Sequence, residues 1–196
     1  VLLKPTGFSS PYWGKVQEIR DAVVAFKKSG KPVYAYLEYG GDRDYYLATA
    51  ADKVFLLPSS PLDVTGVATY QVFLRGTLDT LGLVADLHGI GAYKTAPNQY
   101  TEKGYTPTHR EMDASLNRDL YEQVVHAIAL GRKKSDDEVK RLLDEGPFLP
   151  AEAVLAGLID GPAYEDEVVT QLDAASANGA ENLEGDDYAD VSARSV

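Results

Sequence analysis

The apolar residues of the N-terminal half follow two alternating patterns, one typical of strands and one of helices. KPVYAYLEY (31–39) and KVFLLP (53–58) are rich in β-branched and aromatic residues, which favours strands. The opening VLLK reads as a shorter strand, and apolar residues over 16–26 recur at helical spacing. Gly30 ends that helix. Strand, helix and strand in this order predict β-α-β units, an α/β fold and a mainly parallel sheet.

The same order is predicted to repeat beyond the second strand. Gly40-Gly41 breaks the strand, and RDYYLATAAD (43–52) follows as a short helix. VATYQVFLRGTLDTLG (67–82) is predicted to be a helix, and LVADLHGI (83–90) a further strand. We therefore expect one more β-α-β unit before residue 91.

The C-terminal half has a predominantly helical pattern. Pro107 near a helix start and the Thr108/Glu111 capping-box spacing precede apolar residues at four-residue intervals from Met112 to Ile128. This pattern predicts one long amphipathic helix. A second helix is expected between Ser135 as its cap and Gly146 as its end, and LPAEAVLAGLIDG adds a helical turn and a brief strand.

Length and composition define the expected domain organisation. The chain has 196 residues and 44% hydrophobic content, enough for one domain with a core. Residues 1–173 are predicted to form that domain, and residues 174–196, rich in Ala, Asn, Gly and Asp, to be an acidic linker or flexible tail. The chain starts with Val1 rather than Met, so we expect it to be a piece of a longer polypeptide.

Charge and composition exclude several kinds of function. The formal net charge is −11, and no segment has the basic excess that binds nucleic acid. The absence of cysteine excludes disulfides, thiolate metal sites and cysteine nucleophiles. His88, His109 and His126 lie far apart without an HExxH arrangement, and GFSSPYWGK (7–15) lacks the spacing of a phosphate-binding loop. We therefore predict neither a metal nor a cofactor.

One lysine has unusual neighbours. GIGAYKTAPNQY (89–100) places Lys94 among small, aromatic and proline residues, with no acid nearer in sequence than Glu102. One interpretation is a surface lysine on a loop. The other is a general base, since burial among apolar groups without a carboxylate partner favours the neutral amine. Such a lysine is compatible with activation of a serine nucleophile.

Three segments, in this order, resemble one protein family. They are YLATAADKVFLLPSSPLDVTGV (46–67), GLVADLHGIGAYKTAPNQYT (82–101) and the ending GLIDG (157–161). Over about residues 1–172 the chain resembles the protease IV family, the signal peptide peptidases of the A type. The resemblance implies a Clp protease/crotonase-like fold and a Ser/Lys dyad serine protease.

The resemblance also implies how that dyad is divided. In two-domain members the first domain carries the lysine and the second the serine, and Lys94 matches the lysine of the YK-[ST]-A motif. The family's serine lies in an S-G-G-Y-Y segment, and counting back from Tyr45-Tyr46 puts Asp42 at its position. KPTGF (4–8) likewise lacks the P-G-G segment of the catalytic half. The family pattern thus implies that Lys94 is the base and that its serine lies outside this chain.

The family pattern further implies the setting of the domain. It implies a homo-oligomer, peptide substrates such as remnant signal peptides, and a membrane anchor absent from this chain. It implies a location at the extracytoplasmic face of a bacterial or archaeal membrane, and no activity for the isolated fragment. Exposed tyrosine and apolar residues between positions 93 and 105 are expected to contact the neighbouring domain.

Two other functions stay open at this point. The first is a non-catalytic scaffold of the same assembly, because Asp42 stands where the nucleophile would be. The second is an acyl-coenzyme A enzyme of the crotonase type, which requires an oxyanion pair and a pocket for adenine phosphates. Few basic residues lie near the glycine-containing loops, so this alternative ranks last.

Overall fold

The computed structural model describes residues 1–5 and 12–176. The chain forms two compact units. Of the described residues, unit 1 combines 1–5 and 12–62 with 149–176, and unit 2 comprises 63–148. Of the linker predicted for residues 174–196, positions 177–196 lie outside the described residues.

The described chain consists of short strands, most of them in its first third, and of helices. The strands are β1 (Leu2–Leu3), β2 (Tyr34–Leu37), β3 (Gly40–Gly41), β4 (Lys53–Leu56), β5 (Leu62–Asp63) and β6 (Gly161–Pro162). The helices are α1 (Trp13–Lys27), α2 (Asp42–Ala48), α3 (Arg75–Thr80), α4 (Asn98–Thr101), α5 (Pro107–Arg132), α6 (Asp136–Glu145), α7 (Pro150–Leu155) and α8 (Glu165–Ala175). The predicted mixture of helices and strands is confirmed.

Unit 1 is built on a parallel sheet with strand order β1-β2-β4-β6. All three neighbouring pairs run parallel, and Leu37 lies opposite Leu56. Strands β3 and β5 pair separately. The α/β class with a mainly parallel sheet, predicted from the sequence, is therefore confirmed.

Both faces of the central strands are buried. Ala35, Leu37, Val54 and Leu56 have no exposed surface, which explains why β2 and β4 are nearly continuous apolar runs rather than alternating ones. On one face of the sheet, a cluster joins side chains of β2, β4, α8 and the residue after β6: Tyr34, Tyr36, Phe55, Ala163, Val168 and Leu172. This packing fixes α8 against β2.

The core of unit 2 lies at the C-terminal half of α5. Val124, Val125 and Ile128 are buried there, and the three buried residues of α6 are Val139, Leu142 and Leu143. The long helix, the Ser135 cap and the helix end at Gly146 are confirmed. The predicted Thr108/Glu111 cap is wrong, because Thr106 is the N-cap and its side chain accepts a hydrogen bond from the His109 amide.

Two predictions for residues 67–90 are wrong. Of the helix predicted over residues 67–82, only Arg75–Thr80 is helical, and residues 83–90 form no strand. Val84 and Ile90 are 77% and 98% exposed, so this apolar segment is not packed into the core of the unit. A strand requires a neighbouring strand to receive its backbone hydrogen bonds, and apolar composition alone does not supply one.

Candidate active site

Lys94 lies in unit 2, on the loop that precedes α4. Its backbone amide donates to the Gly91 carbonyl over 3.2 Å, and Gly91 has φ +90°, a conformation that favours glycine. A side chain at Gly89 would lie 3.2 Å from Lys94 Cγ, so Gly89 lets the backbone approach the lysine stem. Two glycines of GIGAYK therefore shape the lysine's surroundings.

The Lys94 side chain is exposed in this chain. Among the residues the structure describes, no carboxylate lies within ion-pair distance of its amine. The lack of an acid partner agrees with the sequence pattern. The apolar burial that a general base requires is not supplied by these residues, so it would have to come from outside them.

Helix α5 holds this loop by two side-chain contacts. Thr108 Oγ1 donates to the Ala92 carbonyl over 2.9 Å, and the Tyr93 hydroxyl donates to Glu111 Oε2 over 3.0 Å. The bond to Glu111 raises the pKa of Tyr93, because an ionised tyrosine would lose it and face a carboxylate. Both contacts hold the two residues that precede Lys94.

A buried histidine lies one turn into the same helix. His109 is 6% exposed and packs edge-on against Tyr105 and Phe73, with ring centroids 4.9 and 5.8 Å away. Asp113 Oδ2 accepts from the Tyr105 hydroxyl over 2.9 Å, and Oδ1 lies 3.8 Å from His109 Nε2. Spacing in the sequence did not single out His109, since one of its two aromatic neighbours, Phe73, is remote in the chain.

The same cluster reaches the helix that follows Lys94. Asn98 Nδ2, at the start of α4, donates to Thr106 Oγ1 over 3.3 Å and lies 3.5 Å from His109 Nδ1. The loop is thus held before Lys94 by Thr108 and after it by Thr106. Sequence analysis missed both anchors, and the only signal for them was the threonine pair around Pro107.

Asp42 is the first residue of α2 in unit 1. It follows Gly41 and shares the first turn with Asp44, an arrangement that places carboxylates at the positive end of the helix. Burial raises the pKa of Asp44, with Arg43 acting in the opposite direction. No hydroxyl nucleophile stands at the position that the family pattern gives to serine.

The described ranges contain neither a metal-binding cluster nor a membrane-spanning helix. Within residues 1–5 and 12–176, no group of three or more His, Asp or Glu side chains is arranged to hold a metal ion. None of the helices there combines the length and the apolar character needed to cross a bilayer.

Comparison with known proteins identifies the class and then the family. The chain is a peptidase-family domain, since residues 25–178 match Peptidase family S49. The chain belongs to that family. Its mainly parallel α/β structure agrees with the Clp protease/crotonase-like fold expected for it.

Named relatives agree with this assignment. The chain is 32% identical over 160 residues to the "Serine protease SPPA, chloroplastic" of Arabidopsis thaliana, covering 82% of this chain and 24% of that protein. It is 29% identical over 153 residues to "Protease 4" of Salmonella typhi, covering 78% and 23%. The chain thus spans about a quarter of the length of these relatives.

One further relative and one solved structure complete the comparison. A "Putative signal peptide peptidase SppA" of Enterococcus faecium is 25% identical over 79% of this chain and 45% of that protein. A peptidase structure from Plasmodium falciparum is similar with a TM-score of 0.40 and 16% identity, over 76% of this chain and 67% of that one.

Proposed function

We propose that this chain is the lysine-bearing domain of a membrane-associated serine peptidase. In this proposal Lys94 is the general base, and the serine nucleophile belongs to a second domain outside the chain. The observation that carries the proposal is an exposed lysine on an anchored loop, with no acid partner among the described residues. Relatives named as a serine protease and a putative signal peptide peptidase support it, and the substrates in this proposal are remnant signal peptides.

The chemistry requires a neutral amine. A free lysine has a pKa of about 10.4 and is roughly 0.1% or less deprotonated at pH 7. Removing an amine from water disfavours its charged form, and a nearby carboxylate would oppose that effect. A second domain that covers the loop would therefore favour the neutral amine that a base requires.

Exposed apolar side chains around the loop are consistent with a second domain that covers it. Ile90 is 98% exposed and Tyr93 56%, in a stretch where Tyr100 is also exposed. Exposed apolar groups that follow closely on one another mark protein contact surfaces. We propose that the serine-bearing domain, and further copies in a homo-oligomer, cover these residues.

In the assembled site, Lys94 Nζ would accept the serine hydroxyl proton as the serine oxygen attacks the peptide carbonyl. The resulting ammonium would return this proton to the leaving amine, and an acyl-enzyme would form. Water would then repeat the sequence, losing its proton to Lys94 and releasing the serine. The lysine is unchanged at the end, and no cofactor is needed.

The test is reconstitution with the serine-bearing half. Lys94→Ala should lower kcat/KM by at least about 100-fold, the effect of losing a general base. Lys94→Arg should fail equally, because arginine keeps its proton. Lys28→Ala, which removes an exposed lysine in the other unit, is the matched control and should keep activity. Full activity of Lys94→Ala in an intact assembly would remove Lys94 from the mechanism.

The alternative is a scaffold domain that shapes the assembly without taking part in catalysis. Asp42 favours it, because this domain has no serine at the family's nucleophile position. The two functions differ in the distance from Lys94 Nζ to the serine hydroxyl across the interface. A base must come within hydrogen-bond reach, whereas a distance above about 10 Å in a structure of the assembly would favour the scaffold.

A further inference from the structure

Unit 1 contains an open groove that the proposed peptidase chemistry does not use. It has a volume of about 730 Å³ and is lined by Tyr36 of β2 and by Tyr164, Glu165, Asp166, Val169 and Thr170 at the start of α8. That volume lies within the range of small-ligand pockets. All lining residues belong to unit 1, so the groove can be tested separately from Lys94.

Tyr36 presents an unused donor to this groove. Its side chain packs in the sheet-helix cluster and is only 3% exposed. Its hydroxyl makes no hydrogen bond with any residue in 1–5 or 12–176. The hydroxyl oxygen is not fully buried, so a ligand in the groove can reach it. Burial raises the pKa of Tyr36, and the charges of Glu38 and Glu165 add to this, so the hydroxyl keeps its proton. The hydroxyl of a buried tyrosine normally has a hydrogen-bond partner. For Tyr36, the groove is where such a partner can bind.

The charges around the hydroxyl are mainly negative. Glu165 pairs with Lys4 over 2.7 Å, and Glu167 turns back to accept from the Tyr164 amide over 2.8 Å. The Asp166 carboxylate has no ion-pair or hydrogen-bond partner among the described residues. One carboxylate of the groove is therefore available to a ligand.

The ligand that this arrangement fits is a cation with a neighbouring acceptor. The ring of Tyr164, which is 57% exposed, offers an aromatic surface beside Asp166. A guanidinium group pairs with carboxylates and stacks on aromatic rings, whereas a metal ion requires converging ligands that the described residues do not provide. A peptide carbonyl next to the cation would accept from Tyr36.

We propose that this groove binds an arginine side chain of a peptide segment. The guanidinium lies between Asp166 and the Tyr164 ring, and a backbone carbonyl of the same segment accepts the Tyr36 hydroxyl. This proposal goes beyond the function proposed for Lys94, and its test does not depend on whether Lys94 is a general base.

The experiment titrates the 196-residue chain with the capped tripeptide acetyl-Gly-Arg-Gly-amide and follows backbone NMR signals. We expect shifts centred on Tyr36 and on residues 164–170, and much weaker shifts with the uncharged citrulline analogue. Tyr36→Phe keeps the ring and removes only the hydroxyl. Asp166→Asn keeps the size and removes only the charge. Each variant should weaken binding about fivefold, the effect of one net hydrogen bond or exposed charge pair.

Asp137→Asn is the matched control. Asp137 occupies the same second position of the acidic first turn of α6 and is exposed, so the substitution makes the same change in charge and helix-end electrostatics. This control should bind the arginine peptide as the unsubstituted chain does. Three results would overturn the proposal: equal binding of the citrulline peptide, unchanged affinity in both groove variants, or an equal loss in Asp137→Asn, which would indicate general attraction to an acidic chain.

Discussion

Thr108 on α5 donates a hydrogen bond from Oγ1 to the carbonyl oxygen of Ala92 over 2.9 Å, two residues before Lys94. A threonine in the first turn of a long helix thus fixes a loop that comes earlier in the chain. Tyr93 and Glu111 add a second contact of the same kind. The position of Lys94 depends on these contacts as much as on its own neighbours in sequence.

Thr108→Val should loosen the loop without unfolding the helix, because the N-cap of α5 is Thr106 rather than Thr108. Cleavage after Lys94 by a lysine-specific protease should become several-fold faster, since local opening exposes the bond. Thr80→Val is the control, as it removes a threonine-to-carbonyl bond on α3 over a similar distance. An unchanged cleavage rate at Lys94 would show that the Thr108 contact does not restrain the loop.

Tyr45→Phe should destabilise unit 1. Tyr45 is fully buried, and its hydroxyl donates to the Leu158 carbonyl over 2.6 Å, joining α2 to the segment before β6. Loss of a buried donor costs about 1–3 kcal/mol of unfolding free energy. Urea unfolding measures this cost, and Tyr70→Phe, at a residue 90% exposed, should change it by less than about 0.5 kcal/mol. Equal stability of the two variants would contradict the prediction.

Gly146→Ala and Gly76→Ala should change stability in opposite directions. A Cβ at Gly146 would collide with the Val64 carbonyl oxygen, a backbone atom that cannot move aside alone, so we expect a loss of about 1–3 kcal/mol. Gly76 lies in α3 with nothing near its Cβ position, so alanine there should gain up to about 1 kcal/mol. Thermal unfolding checks both, and a gain from Gly146→Ala would show that the close approach to Val64 is absent.

Asp52 should make the unfolding free energy of the chain fall as the pH is lowered through the acid range. Burial alone would raise the pKa of Asp52, but hydrogen bonds from Lys27 over 2.9 Å and from the Val33 amide over 2.9 Å outweigh it and lower the pKa. A depressed carboxyl pKa stabilises the fold above the ordinary value of about 3.9, and this contribution is lost as pH falls through the folded-state pKa.

Asp52→Asn should therefore cost stability at pH 7 and cost nothing at the lowest pH of the titration. The loss at pH 7 should stay below about 1 kcal/mol, because the pair is partly exposed and screened by solvent. Urea unfolding across the acid range measures the difference. Asp119→Asn, at an exposed residue of α5, should show no such slope. A constant difference at every pH would mean that the Asp52 effect is not one of ionisation.

The helices and strands that could be predicted are those with a clear apolar pattern within their own residues. β2 and β4 were recognisable because strands buried on both faces are continuous apolar runs, and the long helix because its apolar residues recur over several turns. Helix α8 was missed: Val168 and Leu172 give only two buried positions, although the acids of its first turn are a known helix signal. Elements with short patterns need tertiary packing to be recognised.

The candidate site was predictable only in part. The motif around Lys94 is contiguous, so the family resemblance could locate it, and the family match is confirmed. The contacts from Thr108 and Glu111, and the packing of His109, join residues about ten to forty positions apart without a common spacing. The strand predicted for residues 83–90 failed for the same reason, because a strand depends on a partner that local sequence does not reveal.

Helix α5 has two unequal halves. Val124, Val125 and Ile128 are buried, whereas Met112 and Leu116 are 38% and 57% exposed. Backbone amides of the buried half should exchange with solvent only when most of the domain unfolds, and those of the exposed half through small local openings. Thr108 and Glu111, which hold the Lys94 loop, belong to the exposed half, in which His109 is the one buried residue. In the proposed assembly, a domain that covers this half would therefore restrict the positions that the lysine samples.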